Sequence, residues 1–448
     1  MMNDFDALAK KLLRVAALAG ADAADVILVD AKDVSIDVRD GMLEHAERSE
    51  SVDIGLRVLI GQKQACVSVS DTSDHTLEQM AERAVAMAKV APEDQHIGLA
   101  DADQLAQAWD VDALELADAS DKPTPEMLQQ TAQAAEAAAL AVSGVAQVLG
   151  ASSGWAETQI HLAASNGFSG GYRRTSFSTS CGAIAGDGLQ MERDYCGEGR
   201  AHFADLPDAE AIGKLAGERA VAKFGAVKPP TGTYPILFDE RISSTLIGHL
   251  LSAINGNSIV RGSSWLKDAL GAQILPMGID LVEDPTRARV SGSKPFDAEG
   301  LPVAVRHIIE NGVLQGWTLD LASARKLGMK STGNASRGVG SPPSPSSGNM
   351  ALLGGVKSRD QLVSDMGTGL LVTGMIGSTI SPTTGDYSRG ANGFWVENGQ
   401  IMHPVNECTI AGNLHQMLAG MIPANDGRAH LSRVIPSLLI ESMVIAGA

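Results

Sequence analysis

Residues 393–405 read Gly-Phe-Trp-Val-Glu-Asn-Gly-Gln-Ile-Met-His-Pro-Val. An Asn-Gly pair between two apolar runs marks a β-hairpin, because the tight turn needs positive φ at both central residues and these two tolerate it. The spacing predicts strands over 393–396 and 400–405, joined at Glu397-Asn-Gly399. The same triplet recurs upstream, where 303–309 turns at Glu310-Asn-Gly312 into 313–318. Two copies hint at a duplicated β unit and make the C-terminal half β-rich, with helices expected only near 241–253 and 321–327.

Working outward, the N-terminal half alternates helix and strand. Phe5, Leu8, Leu12, Leu13 and Ala16 recur at helical spacing. Residues 25–70 alternate as strands around an Asp40-Gly41 turn, and Thr76-Leu-Glu-Gln79 has the form of a capping box opening a helix. Thr124-Pro125 is an N-cap and first-turn pair for an Ala-rich helix to about 142. Strands follow near 156–164 and 172–185 around Asn166-Gly167, then a helix over 209–223. An acidic stretch over 91–125 and Lys228-Pro-Pro230 are the candidate linkers. The fold class is therefore α+β and multi-domain: a mixed αβ domain over 1–107, a middle αβ domain over 108–227, and a β-rich C-terminal domain with antiparallel hairpins over 228–448.

Composition narrows the function. The chain has 448 residues, 44% of them hydrophobic and 20% charged, which is the balance of a globular protein. With 35 basic and 53 acidic residues its net charge is −18, which repels a polyanion, so no nucleic acid is expected as partner. Four cysteines without a CxxC, an N-terminus reading as amphipathic helix rather than signal peptide, and a 367–381 stretch too glycine-laden to span a bilayer point to a cytoplasmic protein without membrane contact.

The chemistry-bearing motifs are few. The chain holds no GxxxxGK[ST], GxGxxG or HExxH, and no two of its ten histidines stand at i, i+4. Ser264-Trp-Leu-Lys267 has the SxxK spacing of a serine beside a lysine base, or is simply a capped turn after Gly262. His249 sits among Leu246, Ile247, Leu250 and Leu251, as a packed core histidine would. Thr384-Gly-Asp-Tyr-Ser-Arg-Gly390 reads either as a tight turn with an internal Asp–Arg pair or as a loop presenting Asp386, Tyr387 and Arg389 to a peptide. Ser331-Thr-Gly-Asn334 invites the same two readings, and Glu283-Asp-Pro285 reads as a turn.

Together these segments resemble the TldD/PmbA family of gyrase modulators and peptide-maturation metalloproteases, specifically its PmbA (TldE) branch. The matching stretches run nearly end to end: Gly41-Met-Leu-Glu44, Ala91-Pro-Glu-Asp94, Glu283-Asp-Pro285, Phe296-Asp-Ala-Glu-Gly-Leu-Pro302 and Glu310-Asn-Gly-Val-Leu314. They continue through Ser331–Asn334, Thr384–Gly390, Gly393–Gly399, Pro404-Val405 and Thr409-Ile-Ala-Gly-Asn-Leu414. The resemblance implies a cytoplasmic heterodimeric protease that matures peptide precursors and degrades small unfolded proteins. Its TldD-type subunit carries HExxxH on a helix, two histidines holding zinc and the glutamate activating water, with a distant cysteine completing the site. The corresponding positions here are Ser244, Thr245 and His249, and the cysteine-bearing loop, 426–436, contains no cysteine.

The implied role is a non-catalytic subunit without cofactor, shaping the substrate chamber of a TldD-like zinc partner. Asp386, Tyr387, Arg389 and Asn334 are the candidate peptide-channel or interface residues, and the isolated chain could also form a homodimer. Two alternatives stand beside this: an autonomous hydrolase with Ser264 as nucleophile and Lys267 as base, and a non-proteolytic binding or chaperone-like modulator.

Overall fold

A computed structural model describes residues 5–448. Helix α1 (Phe5–Leu18) leads into strands β1 (Ala23–Arg39), β2 (Met42–Ile60) and β3 (Lys63–Val69), then α2 (Asp74–Val90). After a long connection come α3 (Pro125–Leu140), β4 (Val145–Ala164), β5 (Ser169–Ala185), β6 (Glu192–Arg200) and α4 (Ala209–Ala222). The β1–β2 turn is made by Asp40 (φ 52°) and Gly41 (φ 71°), as the Asp-Gly pair requires. Ser73, not Thr76, caps α2: its hydroxyl accepts the Thr76 amide three residues on, so the helix starts one turn before the expected box.

The six strands form one sheet in the order β3-β2-β1-β4-β5-β6. The antiparallel pair β1–β4 thus bonds spans 1–107 and 108–227 into a single sheet. β1 serves two cores in turn. Val26 and Leu28 pack with α1 and α2, while Val34, Ile36 and Val38 pack with α3 and α4. All five are at even positions, so both helix pairs cover one face of the sheet. The odd positions Asp25 and Ile27 face the other way, toward residues from the C-terminal half.

That half runs β7 (Gly232–Phe238), α5 (Glu240–Ala253), α6 (Gly256–Val260), β8 (Asp280–Glu283), β9 (Arg306–Glu310) and β10 (Val313–Leu314). Next come α7 (Leu321–Leu327), β11 (Ala335–Ser336), β12 (Ser344–Pro345), β13 (Met350–Leu353) and α8 (Arg359–Asp365). It ends with β14 (Gly369–Ile380), β15 (Asp386–Glu397), β16 (Gln400–Asn413), α9 (Leu414–Ala419), β17 (Ile422–Pro423), β18 (Arg433–Val434) and β19 (Leu438–Ala446). Both Asn-Gly turns form as read, with φ of 49° and 80° at Asn311-Gly312 and 52° and 72° at Asn398-Gly399.

β16-β15-β14-β7-β19 form a second sheet, and β19 pairs again with β16 through Ile410↔Ile445, closing five strands into a barrel. β7 and β14 run parallel, so the barrel is not built from hairpins alone. The 367–381 stretch supplies β14, and the Ser/Pro-rich segment over 341–348 is tied down, with β12 paired to β11.

One buried ion cluster joins the halves. Arg57 Nε donates to Asp25 Oδ2 at 2.6 Å, and Arg337 Nη1 donates to Asp25 Oδ1. All three side chains are buried. The strap carrying Arg337 lies so close to β2 that a Cβ on Gly55 would come within 2.2 Å of Val339 O. Nearby Glu299 is half-buried, and desolvation, with the Asp297 charge second, pushes its carboxyl up to about 8.

Removing one partner from a buried ion cluster leaves uncompensated charge and typically costs about 3–5 kcal/mol. Asp25→Asn, which strands both guanidinia, should therefore cost stability of that order, read from urea unfolding. Glu299 acts with the opposite sign to an ordinary carboxylate. Native protein holds a proton that the unfolded chain releases above its ordinary value of 4.5, so this contribution is full below that value and fades as pH rises to about 8. Glu299→Gln should flatten the fall in stability between pH 5.5 and 8, by at most about 1.4 kcal/mol per pH unit. An unchanged slope would mean that Glu299 does not hold its proton.

Candidate functional site

Helix α5 begins at Asp239, whose carboxylate accepts the Arg241 amide, and packs Leu246, Ile247 and Leu250 into the barrel core. Ser244, Thr245 and His249 stand on its half-buried side. Thr245 Oγ1 donates to Ile242 O at 2.6 Å, so its hydroxyl is engaged with the helix backbone. His249 lies edge-on to Tyr387, ring centroids 5.9 Å apart at 74°. Burial, then the charge of Arg389, lowers the His249 pKa, and its Nε2 is buried without a hydrogen-bond partner. The expected core histidine is thus packed but not hydrogen-bonded at Nε2.

Tyr387 and Arg389 belong to β15, so the segment read as a loop is the start of a strand. Tyr387 is buried, its hydroxyl donates to Met375 Sδ at 3.3 Å, and burial pushes it up to about 12. Arg389 Nε donates to Gly377 O at 2.7 Å, bridging a register shift between β14 and β15. Asp386 does not pair with Arg389. Its exposed carboxylate accepts from Thr384 Oγ1 and Asn413 Nδ2 instead, which lowers its pKa.

The fold thus gathers His249, Tyr387 and Arg389 around one point, with Asp386 on the exposed flank. Asn334 lies elsewhere. Its Nδ2 donates to Glu283 Oε1 at 2.9 Å inside a buried network in which Arg306 Nε donates to Glu283 Oε2. Glu283 is the last residue of β8, and the turn read at Glu283-Asp-Pro285 follows it, with Asp284 Oδ1 accepting from the Thr286 amide.

The donors of α5 do not fit a zinc ion. One imidazole of lowered basicity, an engaged hydroxyl and a neighbouring guanidinium are not a ligand set, and among the described residues no three His, Cys, Asp or Glu side chains come together as one. Nor do Ser264 and Lys267 form a dyad. Ser264 Oγ donates to Ala253 O at 2.6 Å and caps the Leu266 amide, whereas the Lys267 ammonium is exposed beside Asp268.

GxSxG spacing occurs twice, at Gly150–Gly154 and Gly167–Gly171, and neither stretch is a strand-to-helix elbow. Ser152 donates to Asp37. Ser169 lies 3.2 Å from His161 Nε2, but Asp6 accepts directly from the serine hydroxyl, so the carboxylate does not orient the imidazole as a triad needs.

Family models describe three segments in this order: PmbA/TldA metallopeptidase domain 1 over 24–88, the central domain over 114–224 and the C-terminal domain over 231–447. A Haemophilus influenzae protein named Metalloprotease PmbA homolog is 35% identical over 437 residues, covering 97% of this chain and 94% of the relative. This chain belongs to the PmbA/TldD family. Within it, a Bacteroides thetaiotaomicron structure named as a modulator of DNA gyrase superposes with a TM-score of 0.92 at 28% identity, covering 100% of both chains. TldE from Thermococcus kodakarensis shares the fold, with a TM-score of 0.86 at 20% identity over 98% of this chain and 100% of that one. No helix among the described residues of this PmbA/TldD member is long and apolar enough to cross a membrane.

The contacts of Ser264 and Lys267 make different demands on stability. Ser264→Ala leaves the Leu266 amide unpaired and should cost about 1–3 kcal/mol. Lys267→Ala should be neutral within about 0.5 kcal/mol. Equal losses in thermal melting would contradict the turn-capping assignment.

Proposed function

We propose that this chain is the PmbA/TldE-type, non-catalytic subunit of a heteromeric TldD/TldE-type metalloprotease. The pair acts on peptide precursors and small unfolded proteins in the cytoplasm. The TldD-like partner supplies the zinc, and this chain closes the substrate chamber. One observation carries the reading: α5 offers Ser244, Thr245 and His249 where a zinc subunit needs two histidines and a glutamate, and Arg389 places positive charge beside the imidazole that remains. Zinc-dependent hydrolysis also needs a base to activate water, and threonine at 245 cannot serve. The family membership and the relatives named as metalloproteases support the reaction class.

In the chamber, Tyr387 and Arg389 face the emptied metal position, and Asp386 is on the outer flank. An extended peptide is gripped most simply by strand addition with polar groups on its backbone, which a barrel closing over the partner can provide. The autonomous Ser264/Lys267 hydrolase gains no support from geometry, since the two side chains do not meet.

Co-expression with the organism's TldD-like protein, followed by sizing, metal analysis and peptide cleavage, tests the proposal. The pair should carry zinc and cleave, and the isolated chain should do neither. Stoichiometric zinc on the isolated chain, lost in His249→Ala, would sink it. Within the pair, Arg389→Ala should lower cleavage without abolishing assembly. It removes the hydrogen bond to Gly377 O and the contact with Tyr387, each worth about 0.5–1.5 kcal/mol, so a much larger loss of stability would instead mark Arg389 as a structural residue.

A further inference from the structure

A cavity of about 370 Å³ opens where the N-terminal sheet meets the C-terminal half. Its walls come from β4 and β5, the end of β6, the 289–291 loop and the 430–432 loop. In a chain of net charge −18 this cavity is lined by three arginines (Arg174, Arg200, Arg289), His430 and six hydroxyl side chains, and by no carboxylate. On the remaining wall Leu431 is the half-exposed apolar side chain, with Leu116, Phe177 and Val290 buried behind the surface.

The charges are not equally spent. Arg289 is matched by Glu115 and Asp205. Arg200 engages Glu198 through Nη1 alone. Arg174 has no carboxylate partner among the described residues: Nη1 and Nη2 donate to Ser291 O and Ser293 O, both at 2.9 Å, and Nε is buried without a partner. His430 Nε2 lies 3.4 Å from Glu198 but outside hydrogen-bonding geometry. The hydroxyls of Thr158, Ser176, Ser178 and Ser432 make no hydrogen bond within the described protein. A guanidinium that lies over the Tyr172 ring, 5.3 Å from its centroid, but has no carboxylate partner calls for an anion beside the free hydroxyls, and the apolar side of the wall calls for a carbon body attached to it.

We propose that this cavity binds the C-terminal residue of a peptide, its free carboxylate held by the Arg174 side and an apolar last side chain against Leu431. A carboxylate accepts more strongly from a guanidinium than a neutral group does, and each Nη of Arg174 has a second N–H beyond the one given to a backbone carbonyl. A volume of about 370 Å³ lies at the small end of ligand pockets, which matches a chain end rather than a long segment. Inorganic phosphate would use the donors but leave the apolar wall unfilled. The 426–436 loop links this cavity to α5: Arg428 Nε donates to Glu240 Oε2, and Ser243 Oγ donates to Ile435 O. A peptide end held here would be fixed relative to the helix that faces the catalytic partner.

The choice of a peptide rests on the proposed function; the test does not need the partner. The purified full-length chain is titrated with an N-terminally dye-labelled pentapeptide ending in leucine, as the free acid and as the C-terminal amide, and anisotropy is read. The acid should bind at least about tenfold more tightly, as expected for a charge-assisted hydrogen bond. Arg174→Gln should erase that preference, Arg174→Lys should keep part of it, and Ser178→Trp, at the exposed rim, should block both peptides.

Equal binding of acid and amide, or an undiminished preference in folded Arg174→Gln, would overturn the inference. So would inorganic phosphate displacing the peptide at equal concentration. Should Arg174→Gln fail to fold by circular dichroism, unimpaired binding to Ser178→Trp overturns it instead. Failure here leaves the subunit proposal standing, whereas failure of the co-expressed pair to cleave strikes that proposal alone.

Discussion

Asp25 holds the two halves of the molecule in one geometry. It sits on the face of β1 opposite the helices and accepts from Arg57 on the neighbouring strand and from Arg337 in the C-terminal strap. A buried carboxylate between two buried guanidinia is tolerable only while all three are in place, since each alone carries a large desolvation cost. That requirement makes the cluster a specific joint, where an apolar contact would tolerate sliding. Gly55 allows the approach, because any Cβ there would collide with the backbone at Val339. The 287–293 loop makes a second contact with the sheet, its Ser291 and Ser293 carbonyls accepting from Arg174 of β5.

The barrel supplies the second constraint. Its closure by β19 on β16 fixes β15, and with it Tyr387 and Arg389, relative to α5 on β7's C-terminal side. His249, Tyr387 and Arg389 meet because three strands and one helix are locked together, although 138 residues of sequence, 249 to 387, separate the first two. The short 426–436 loop is tied to the same helix by Arg428 and Ser243. Sheet, 287–293 loop, 426–436 loop and helix therefore form one path of hydrogen bonds from the cationic cavity to α5.

Local chemistry made much of this legible in the sequence. The turns at Asp40-Gly41, Asn311-Gly312 and Asn398-Gly399 demand positive φ and obtain it from residues that tolerate it, so their strands follow. Thr124-Pro125 caps its helix for an equally local reason. Where two local signals competed, spacing alone chose wrongly: Ser73 outcompetes Thr76 because Asp71 and Ser73 already bond each other and leave the serine hydroxyl aimed at the helix. Tyr387 and Arg389 read as loop because glycines flank them, yet pairing to β14 and β16 makes strand of the segment. Long-range pairing was illegible. Nothing in composition couples Asp25 to Arg337 across 312 positions, or brings Arg174 to Ser291 across 117. Ser244, Thr245 and His249 drew attention only through the family resemblance, because they carry no signal of their own.

The imidazole that remains on α5 has been put to another use by its surroundings. A zinc ligand must be an available base, whereas burial and the Arg389 charge both make His249 a poorer one. A guanidinium beside it repels a dication as it repels a proton, so the position opposes metal on electrostatic as well as stereochemical grounds. What His249 keeps is its ring face and edge, packed on Tyr387. Tyr387 is in turn held by Met375, and Arg389 by the carbonyl of Gly377, so the three side chains brace the β14–β15 register shift against the helix. Positive charge beside His249 is thus carried by a side chain anchored to a strand. The guanidinium is therefore a donor held in a fixed place by the strand, beside an imidazole whose basicity it lowers.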